Sequence, residues 1–171
     1  MSRQITIQGK LHPLIGKELA LGKKVPDCKV VDEEMQELHL SSLFGKVTLV
    51  LTVPSIDTSV CQEEAKRFNA EVALWGPSVR TLVVSEDLPF AQKRWCGAEG
   101  AKNLKMVSDF RFKEFGDKWG VRIQDVGLLA RAVFLLNADG VLHYMQIVEE
   151  LSNVPDFQRA IDEVDALLSS F

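Results

Sequence analysis

Residues 47–53, with the sequence VTLVLTV, constrain the possible folds of this chain most strongly. A continuous run of β-branched and apolar residues is typical of a strand buried on both faces, and such strands occur in sheets that helices cover. Pro54 ends the run. Apolar residues at helical spacing then predict a helix that begins near Thr58 or Ser59. The chain therefore contains at least one strand followed by a helix of an α/β fold.

The rest of the sequence continues this alternation. The pattern predicts a short N-terminal strand or hairpin around Ile5 and Ile7. Further strands are predicted at residues 29–32, 80–85, 104–107, 132–136 and 141–148. Helices are predicted from Asp87 and Pro89 to Gly97, around residues 112–119, and from residues 153–155 onward. Strands that alternate with helices and end in a hairpin and a helix indicate a layered α/β domain. Because no repeat or linker interrupts the sequence, we expect residues 1–171 to form a single domain.

Composition excludes several function classes. The chain has 26% charged residues and a net charge of −4, whereas nucleic-acid binding requires a basic surface. The apolar stretches are too short to span a bilayer, and the N-terminus lacks the apolar core of a signal peptide. We therefore expect a cytoplasmic protein that binds neither nucleic acid nor membrane. The three cysteines form no Cys-x-x-Cys pair and have no histidine at metal-binding spacing, so no metal is expected.

Cys61 lies where the predicted strand 47–53 gives way to the predicted helix. A sulfur in the first turn of a helix is close to unpaired backbone N–H groups and to the positive end of the helix dipole, and both favour the thiolate. The hydroxyl of Thr58 precedes it by three residues. This position suits a nucleophile, although a small apolar residue on the buried face of the helix would give the same pattern.

Arg131 interrupts the apolar stretch 127–136. An arginine there is costly unless it is paired or reaches solvent. It is therefore either a charge at the mouth of a strand or a fixed donor toward an anionic thiolate and a peroxide oxygen.

The other two cysteines differ in their surroundings. Cys96 lies at the end of a predicted short helix, where fraying could expose a thiol, and a half-buried apolar role is equally compatible with its position. Cys28 has no cationic or helical feature nearby, so we interpret it as a buried apolar residue.

Three stretches of the sequence resemble a known family. Pro54, Thr58 and Cys61 match the P-x-x-x-T-x-x-C signature of peroxiredoxins. Together with residues 87–100 and 129–133, they resemble the bacterial thiol peroxidase subfamily (Tpx), and the similarity extends from the N-terminal strand to the last helix. All three stretches in this order are strongly specific.

The resemblance implies a thioredoxin-like fold, a central mixed sheet flanked by helices, with an added N-terminal β-hairpin, and usually a homodimer. It implies that Cys61 reduces hydrogen peroxide or organic hydroperoxides, that Cys96 resolves the product as an intrachain disulfide, and that Pro54, Thr58 and Arg131 complete the peroxide site. The implied reductant is thioredoxin. No metal, haem or flavin is implied.

Two other functions use the same residues. A cysteine hydrolase would pair Cys61 with His12, His39 or His143, although none of these lies in a recognisable partner motif. A redox sensor would use oxidation of Cys61 and Cys96 to change a surface, and its turnover would be incidental. Peroxide consumption with a dithiol recycling system distinguishes these functions.

Overall fold

The computed structural model describes residues 3–99 and 104–170, and the side chains of residues 59–65, 98 and 99 lie outside that description. Within these ranges the strands are β1 Gln4–Ile7, β2 Lys10–Pro13, β3 Lys29–Asp32, β4 Glu37–His39, β5 Val47–Thr52, β6 Val79–Ser85, β7 Leu104–Ser108, β8 Ala132–Leu136 and β9 Leu142–Ile147. The helices are α1 Ser59–Trp75, α2 Pro89–Glu99, α3 Glu114–Lys118 and α4 Phe157–Ser169, with 3-10 turns at Leu40–Leu43 and Gly76–Ser78. None of these helices is long and apolar enough to cross a membrane.

Seven strands form one mixed sheet in the order β4-β3-β7-β6-β5-β8-β9. β5, β6 and β7 are parallel because α1 and α2 return the chain between them, and the remaining neighbours pair antiparallel. β1 and β2 form a separate hairpin. Its two-residue turn has φ 50° at Gln8 and 79° at Gly9, a conformation that glycine adopts without strain. The predicted mixed sheet with flanking helices and an N-terminal hairpin is confirmed.

The sheet separates two apolar layers. Alternate residues of β5 point to opposite faces, so Leu49 and Leu51 pack with α1 and α4, whereas Val50 packs with α3. All six residues of β5 are buried, as a central strand covered on both sides requires. α2 adds Trp95 to the layer of α1 and α4, and the N-terminal hairpin adds Ile5 to the layer of α3.

Two helix boundaries differ from those predicted. The prediction that Gly97 closes α2 is wrong, because the helix continues to Glu99 and a glycine inside a helix costs only about 1 kcal/mol. α4 begins at Phe157, a little later than predicted from Pro155. Its first turn is fixed by Asp156, whose carboxylate accepts a hydrogen bond from the Arg159 amide at 3.0 Å.

A buried charge cluster fixes the loops next to α3. Arg122 donates Nη2–H to Asp109 at 2.7 Å, Nη1–H to Glu86 at 2.8 Å and Nε–H to Asp117 at 2.7 Å. The Asp109 carboxylate also accepts hydrogen bonds from the backbone amides of Phe115 and Gly116. Burial and the neighbouring Glu86 raise the pKa of Asp109, so the surroundings oppose its ionisation, and the hydrogen bonds from the Gly116 and Phe115 amides offset part of this effect.

We expect Arg122→Ala to lower the free energy of unfolding by about 3–5 kcal/mol, because Asp109 and Glu86 would remain buried without their cation. Denaturant unfolding monitored by circular dichroism measures this loss. The control is Arg94→Ala, which removes an exposed arginine and should change stability by no more than about 0.5 kcal/mol. Equal stability of the two variants would contradict the structural role of Arg122.

Candidate active site

Antiparallel pairing of β5 with β8 brings two distant segments together. Thr52, the last residue of β5, pairs with Ala132, the first residue of β8. The hydroxyl of Thr52 also donates a buried hydrogen bond of 2.7 Å to the carbonyl of Ala130. The loop that follows β5 and the residue that precedes β8 therefore lie next to each other, at the end of the sheet where β5 finishes and β8 begins.

The loop between β5 and α1 contains Pro54 and Thr58. Pro54 is buried, and the Thr58 hydroxyl lies 3.3 Å from the carbonyl of Ser55, to which it donates a hydrogen bond. α1 then begins at Ser59, so Cys61 belongs to the first turn of a helix of 17 residues, as predicted. Backbone N–H groups of a first turn have no partner within the helix, which makes this turn a favourable environment for an anion. The side chain of Cys61 belongs to the part of the chain that is not described.

Arg131 does not reach solvent, so the interpretation of an exposed charge at a strand mouth is wrong. Its side chain is only 2% exposed, and its Nε–H donates to the carbonyl of Leu151 at 3.0 Å. The backbone of Arg131 is fixed as well, because its carbonyl accepts a hydrogen bond from the Val148 amide at 2.9 Å. The guanidinium is therefore held in one orientation from both ends of the residue.

A cavity of about 280 Å³ is lined by three of the residues that the sequence predicts for the site, Pro54, Thr58 and Arg131. The other lining residues come from the β5–α1 loop, from the end of β1 and the hairpin turn, and from the loops before β8 and after β9: Ser55, Ile7, Gln8, Leu128, Glu150, Leu151 and Ser152. The wall thus combines one buried cation, one carboxylate and three hydroxyl-bearing residues with several apolar side chains. Such a cavity suits a small molecule that has a polar end and an apolar remainder.

Glu150 joins the hairpin to the loop after β9, a contact that the sequence does not predict. One oxygen of its carboxylate accepts hydrogen bonds from the Gly9 amide at 2.9 Å and the Thr6 hydroxyl at 3.1 Å. The other oxygen accepts one from the Ser152 amide at 3.2 Å. The Gly9 and Ser152 amides, in this order, lower the pKa of Glu150 to about 2. The carboxylate therefore stays ionised and keeps the hairpin turn against the cavity.

Asp87 orders the loop between β5 and α1 and was not predicted to have this role. Its carboxylate accepts hydrogen bonds from the Ser55 hydroxyl at 2.9 Å, the Ile56 amide at 2.9 Å and the Ser85 hydroxyl at 2.7 Å. Gln92 on α2 donates in turn to the Ser85 hydroxyl at 3.1 Å. One carboxylate thus connects the loop before Cys61 to the beginning of the helix that carries Cys96.

Cys96 does not line the cavity. It is half-buried near the end of α2, and its Sγ lies 3.6 Å from the Glu33 carboxylate, to which it donates. Burial and the Glu33 charge raise the pKa of Cys96 to about 12. Cys28 is 2% exposed and packs in the layer of α3, which agrees with the buried apolar role predicted for it. Both of these cysteines are free thiols.

The histidines offer no base at the cavity. The His12 ring is 2.8 Å from Asp125, the His39 ring is 3.1 Å from Asp27, and His143 is exposed. None of them is among the lining residues. The described residues also contain no group of three or more histidine, cysteine or acidic side chains that could hold a metal ion. The geometry thus gives no support to a hydrolase that pairs Cys61 with histidine.

We expect Asp87→Asn to accelerate hydrogen exchange of the Ile56 amide about tenfold, because a charged acceptor is replaced by a neutral one. Hydrogen exchange measured by mass spectrometry on peptides that span residues 53–58 tests this. Asp57→Asn, which changes an exposed carboxylate of the same loop, is the control and should leave the exchange as it is. Unchanged exchange in Asp87→Asn would show that the loop is ordered by other contacts.

Comparisons with known proteins show the family of the chain. The family model described as Redoxin matches residues 20–161. A thiol peroxidase of Bacillus subtilis is 41% identical over 165 residues, which cover 96% of this chain and 98% of the relative. A thiol peroxidase of Halalkalibacterium halodurans is 43% identical over 164 residues, again covering 96% of this chain and 98% of the relative.

A solved structure extends the likeness to three dimensions. The peroxiredoxin-like protein from Aquifex aeolicus matches with a TM-score of 0.90 and 38% sequence identity, and the match covers 98% of both chains. The fold is therefore the thioredoxin-like fold of peroxiredoxins with an added N-terminal hairpin, as the sequence predicts. On these grounds the chain belongs to the redoxin family and, within it, to the bacterial thiol peroxidases, which are oxidoreductases of the peroxiredoxin type.

Proposed function

We propose that the chain reduces hydrogen peroxide and organic hydroperoxides at the cavity between the β5–α1 loop and Arg131, with Cys61 as the nucleophile. The observation that carries the proposal is that Pro54, Thr58 and Arg131 line one cavity beside the loop that leads into the first turn of α1. We further propose that residues 1–171 act as a single domain, as a cytoplasmic homodimer, with thioredoxin as the reductant and without a metal or organic cofactor.

Thiolate formation alone would not account for a fast reaction. An ordinary thiol with a pKa of about 8.5 is a few per cent ionised at neutral pH, so complete ionisation gains only about 30-fold. A lower pKa also reduces the intrinsic nucleophilicity of the sulfur. Most of the acceleration must therefore come from donors that stabilise the departing oxygen. The buried guanidinium of Arg131 is the main donor assigned to this role. The hydroxyl of Thr58 has a single proton, so it contributes as a donor when it rotates away from the Ser55 carbonyl.

The first step oxidises Cys61 and reduces the peroxide by two electrons. The thiolate of Cys61 attacks the terminal oxygen of R–O–OH, the O–O bond breaks, and Cys61 becomes a sulfenic acid, S–OH. The RO⁻ group leaves and takes up a proton as an alcohol, or as water when the substrate is hydrogen peroxide. A fixed cation beside the breaking bond stabilises the negative charge that develops on the leaving oxygen.

The cavity wall supports alkyl hydroperoxides as substrates in addition to hydrogen peroxide. Ile7, Leu128 and Leu151 line it with apolar side chains, and these can cover an alkyl group while Arg131 and Thr58 contact the peroxide end. Burying a CH₂ group in such a wall contributes about 0.8 kcal/mol. A longer alkyl group should therefore bind more tightly until it fills the cavity of about 280 Å³.

The second step uses Cys96. The Cys96 sulfur gives up its proton and attacks the sulfur of the Cys61 sulfenic acid; the S–O bond breaks, a disulfide forms, and hydroxide takes up a proton and leaves as water. Thioredoxin then supplies the two electrons that return the disulfide to two thiols. Because Cys96 contacts the β3–β4 turn and does not line the cavity, the proposed second step includes departure of the end of α2 from this position before the two sulfurs bond.

We expect Cys61→Ser to abolish peroxide consumption supported by thioredoxin and leave the fold intact, because a hydroxyl is a far poorer nucleophile at neutral pH. Cys28→Ser is the matched control: it changes a buried cysteine outside the cavity and should keep turnover. In Cys96→Ser, the first oxidation should survive and a dimedone-type reagent should trap the sulfenic acid. Near-normal turnover of Cys61→Ser would end the proposal.

We expect Arg131→Lys to lower the second-order rate constant with peroxide by about 10²–10³-fold, because one ammonium cannot reproduce the several fixed donors of a guanidinium. Stopped-flow kinetics of the first oxidation measures this rate, and circular dichroism checks that the variant is folded. A rate equal to that of the unaltered chain would show that Arg131 serves packing alone.

A further inference from the structure

Two contacts join the end of α2 to the turn between β3 and β4. The Cys96 thiol donates to Glu33 Oε1 at 3.6 Å, and Lys93, one helical turn earlier, donates to Glu34 Oε1 at 2.7 Å. The two acceptors are adjacent in sequence and lie in the same turn. They therefore act on the same segment of α2, but only Glu33 contacts the sulfur.

The turn holds Glu33 in a defined position. The carboxylate of Asp32 accepts hydrogen bonds from the amides of Glu34 and Gln36, both at 2.9 Å, and the amide of Asp32 donates to the carbonyl of Gln36 at 3.0 Å. Met35 completes the turn with φ 64°. The backbone on either side of Glu33 is thus hydrogen-bonded, so its side chain approaches α2 from an ordered turn.

The surroundings of the Cys96 sulfur oppose its ionisation. Burial is the largest cause and the Glu33 charge is the second, and together they raise the pKa of Cys96 to about 12. The thiol form therefore predominates at pH 7. Among the side chains that the structure describes, the other charged groups near this end of α2 are Asp32 and Glu34 on the turn, Lys93 and Arg94 on the helix, and Lys105 on β7.

We propose that Glu33 is a positioning residue that holds Cys96 as a docked, protonated thiol, so that Cys96 reacts only after the end of α2 leaves the β3–β4 turn. The inference rests on the proposed function, because it assigns a second residue to the resolving step. A docked thiol is a poor nucleophile, so hydroperoxide oxidises Cys61 and spares Cys96. When the end of α2 leaves the turn, the Cys96 sulfur is no longer buried and no longer contacts the Glu33 carboxylate. The thiol can then ionise more easily, and the sulfur is free to move at the same time.

The test measures the ionisation of Cys96 directly. In a chain with Cys28→Ser and Cys61→Ser, Cys96 is the remaining one of the three cysteines, so its alkylation by iodoacetamide can be followed against pH. We expect Glu33→Gln, which keeps an acceptor oxygen but removes the charge, to lower the apparent pKa by about one unit and to raise alkylation at pH 8 about tenfold. Glu33→Asp, which keeps the charge, should retain most of the original profile.

Glu34→Gln is the matched control. It removes the neighbouring charge and weakens the contact with Lys93, but leaves the partner of the sulfur in place. We expect its pH profile to match that of the parent. The proposal is overturned if Glu33→Gln leaves the profile unchanged, or if both glutamine variants shift it equally, because the effect would then come from general loosening of α2.

A kinetic measurement in the chain with all its cysteines connects Glu33 to turnover. Glu33→Gln should leave the rate of Cys61 oxidation unchanged and accelerate the disulfide-forming step several-fold. A slower disulfide step would overturn the proposal, because it would mean that the carboxylate acts as a base for Cys96. The two hypotheses are tested separately. Peroxide turnover by Cys61→Ser would reject the proposed function, whereas the alkylation profile tests the role of Glu33 and involves no peroxide.

Discussion

The antiparallel pairing of β5 with β8 is the constraint on which the site depends. Neither strand contributes a residue to the cavity lining, yet their pairing register places the β5–α1 loop next to Arg131. A shift of one residue would turn every side chain of β5 to the opposite face of the sheet, so Leu49 and Leu51 would exchange layers with Val50 and the packing of both layers would be disrupted. Close packing on both faces therefore favours the observed register, which brings Arg131 next to the loop before α1.

The two buried arginines show how differently this fold uses the same side chain. Arg122 meets three carboxylates in a cluster behind α3, where its charge is neutralised and serves to hold loops together. Arg131 lines a cavity and donates its Nε–H to a backbone carbonyl, and the proposed function assigns its guanidinium to the substrate. Both arginines have apolar neighbours in the sequence, but only Arg131 was singled out from it. Only the positions of their partners distinguish a structural cation from one that is assigned to catalysis.

Local patterns predicted most of the fold. The strands around β5, β6 and β8 were recognisable because buried strands contain long runs of β-branched and apolar residues. Pro54, Thr58 and Arg131 were found because they lie in short motifs, and the structure brings these three together. The roles of Asp87, Glu150 and Glu33 were not found. Each depends on a hydrogen bond to a residue far away in sequence, and a single acidic residue in a loop has no periodicity that could reveal its partner.

The N-terminal hairpin forms a wall of the cavity through the turn at Ile7 and Gln8. The hairpin side chains transfer no proton or electron in the proposed reaction, so they do not have to keep the positions and chemical groups that the reaction requires. The two parts of the site can consequently diverge at different rates during evolution. Substitutions in a surface turn could widen or narrow the range of accepted substrates, while the motif that contains Pro54, Thr58 and Cys61 stays the same. If the cavity holds the hydroperoxide, as proposed, the appended hairpin and the reacting groups are two separately variable parts of one site.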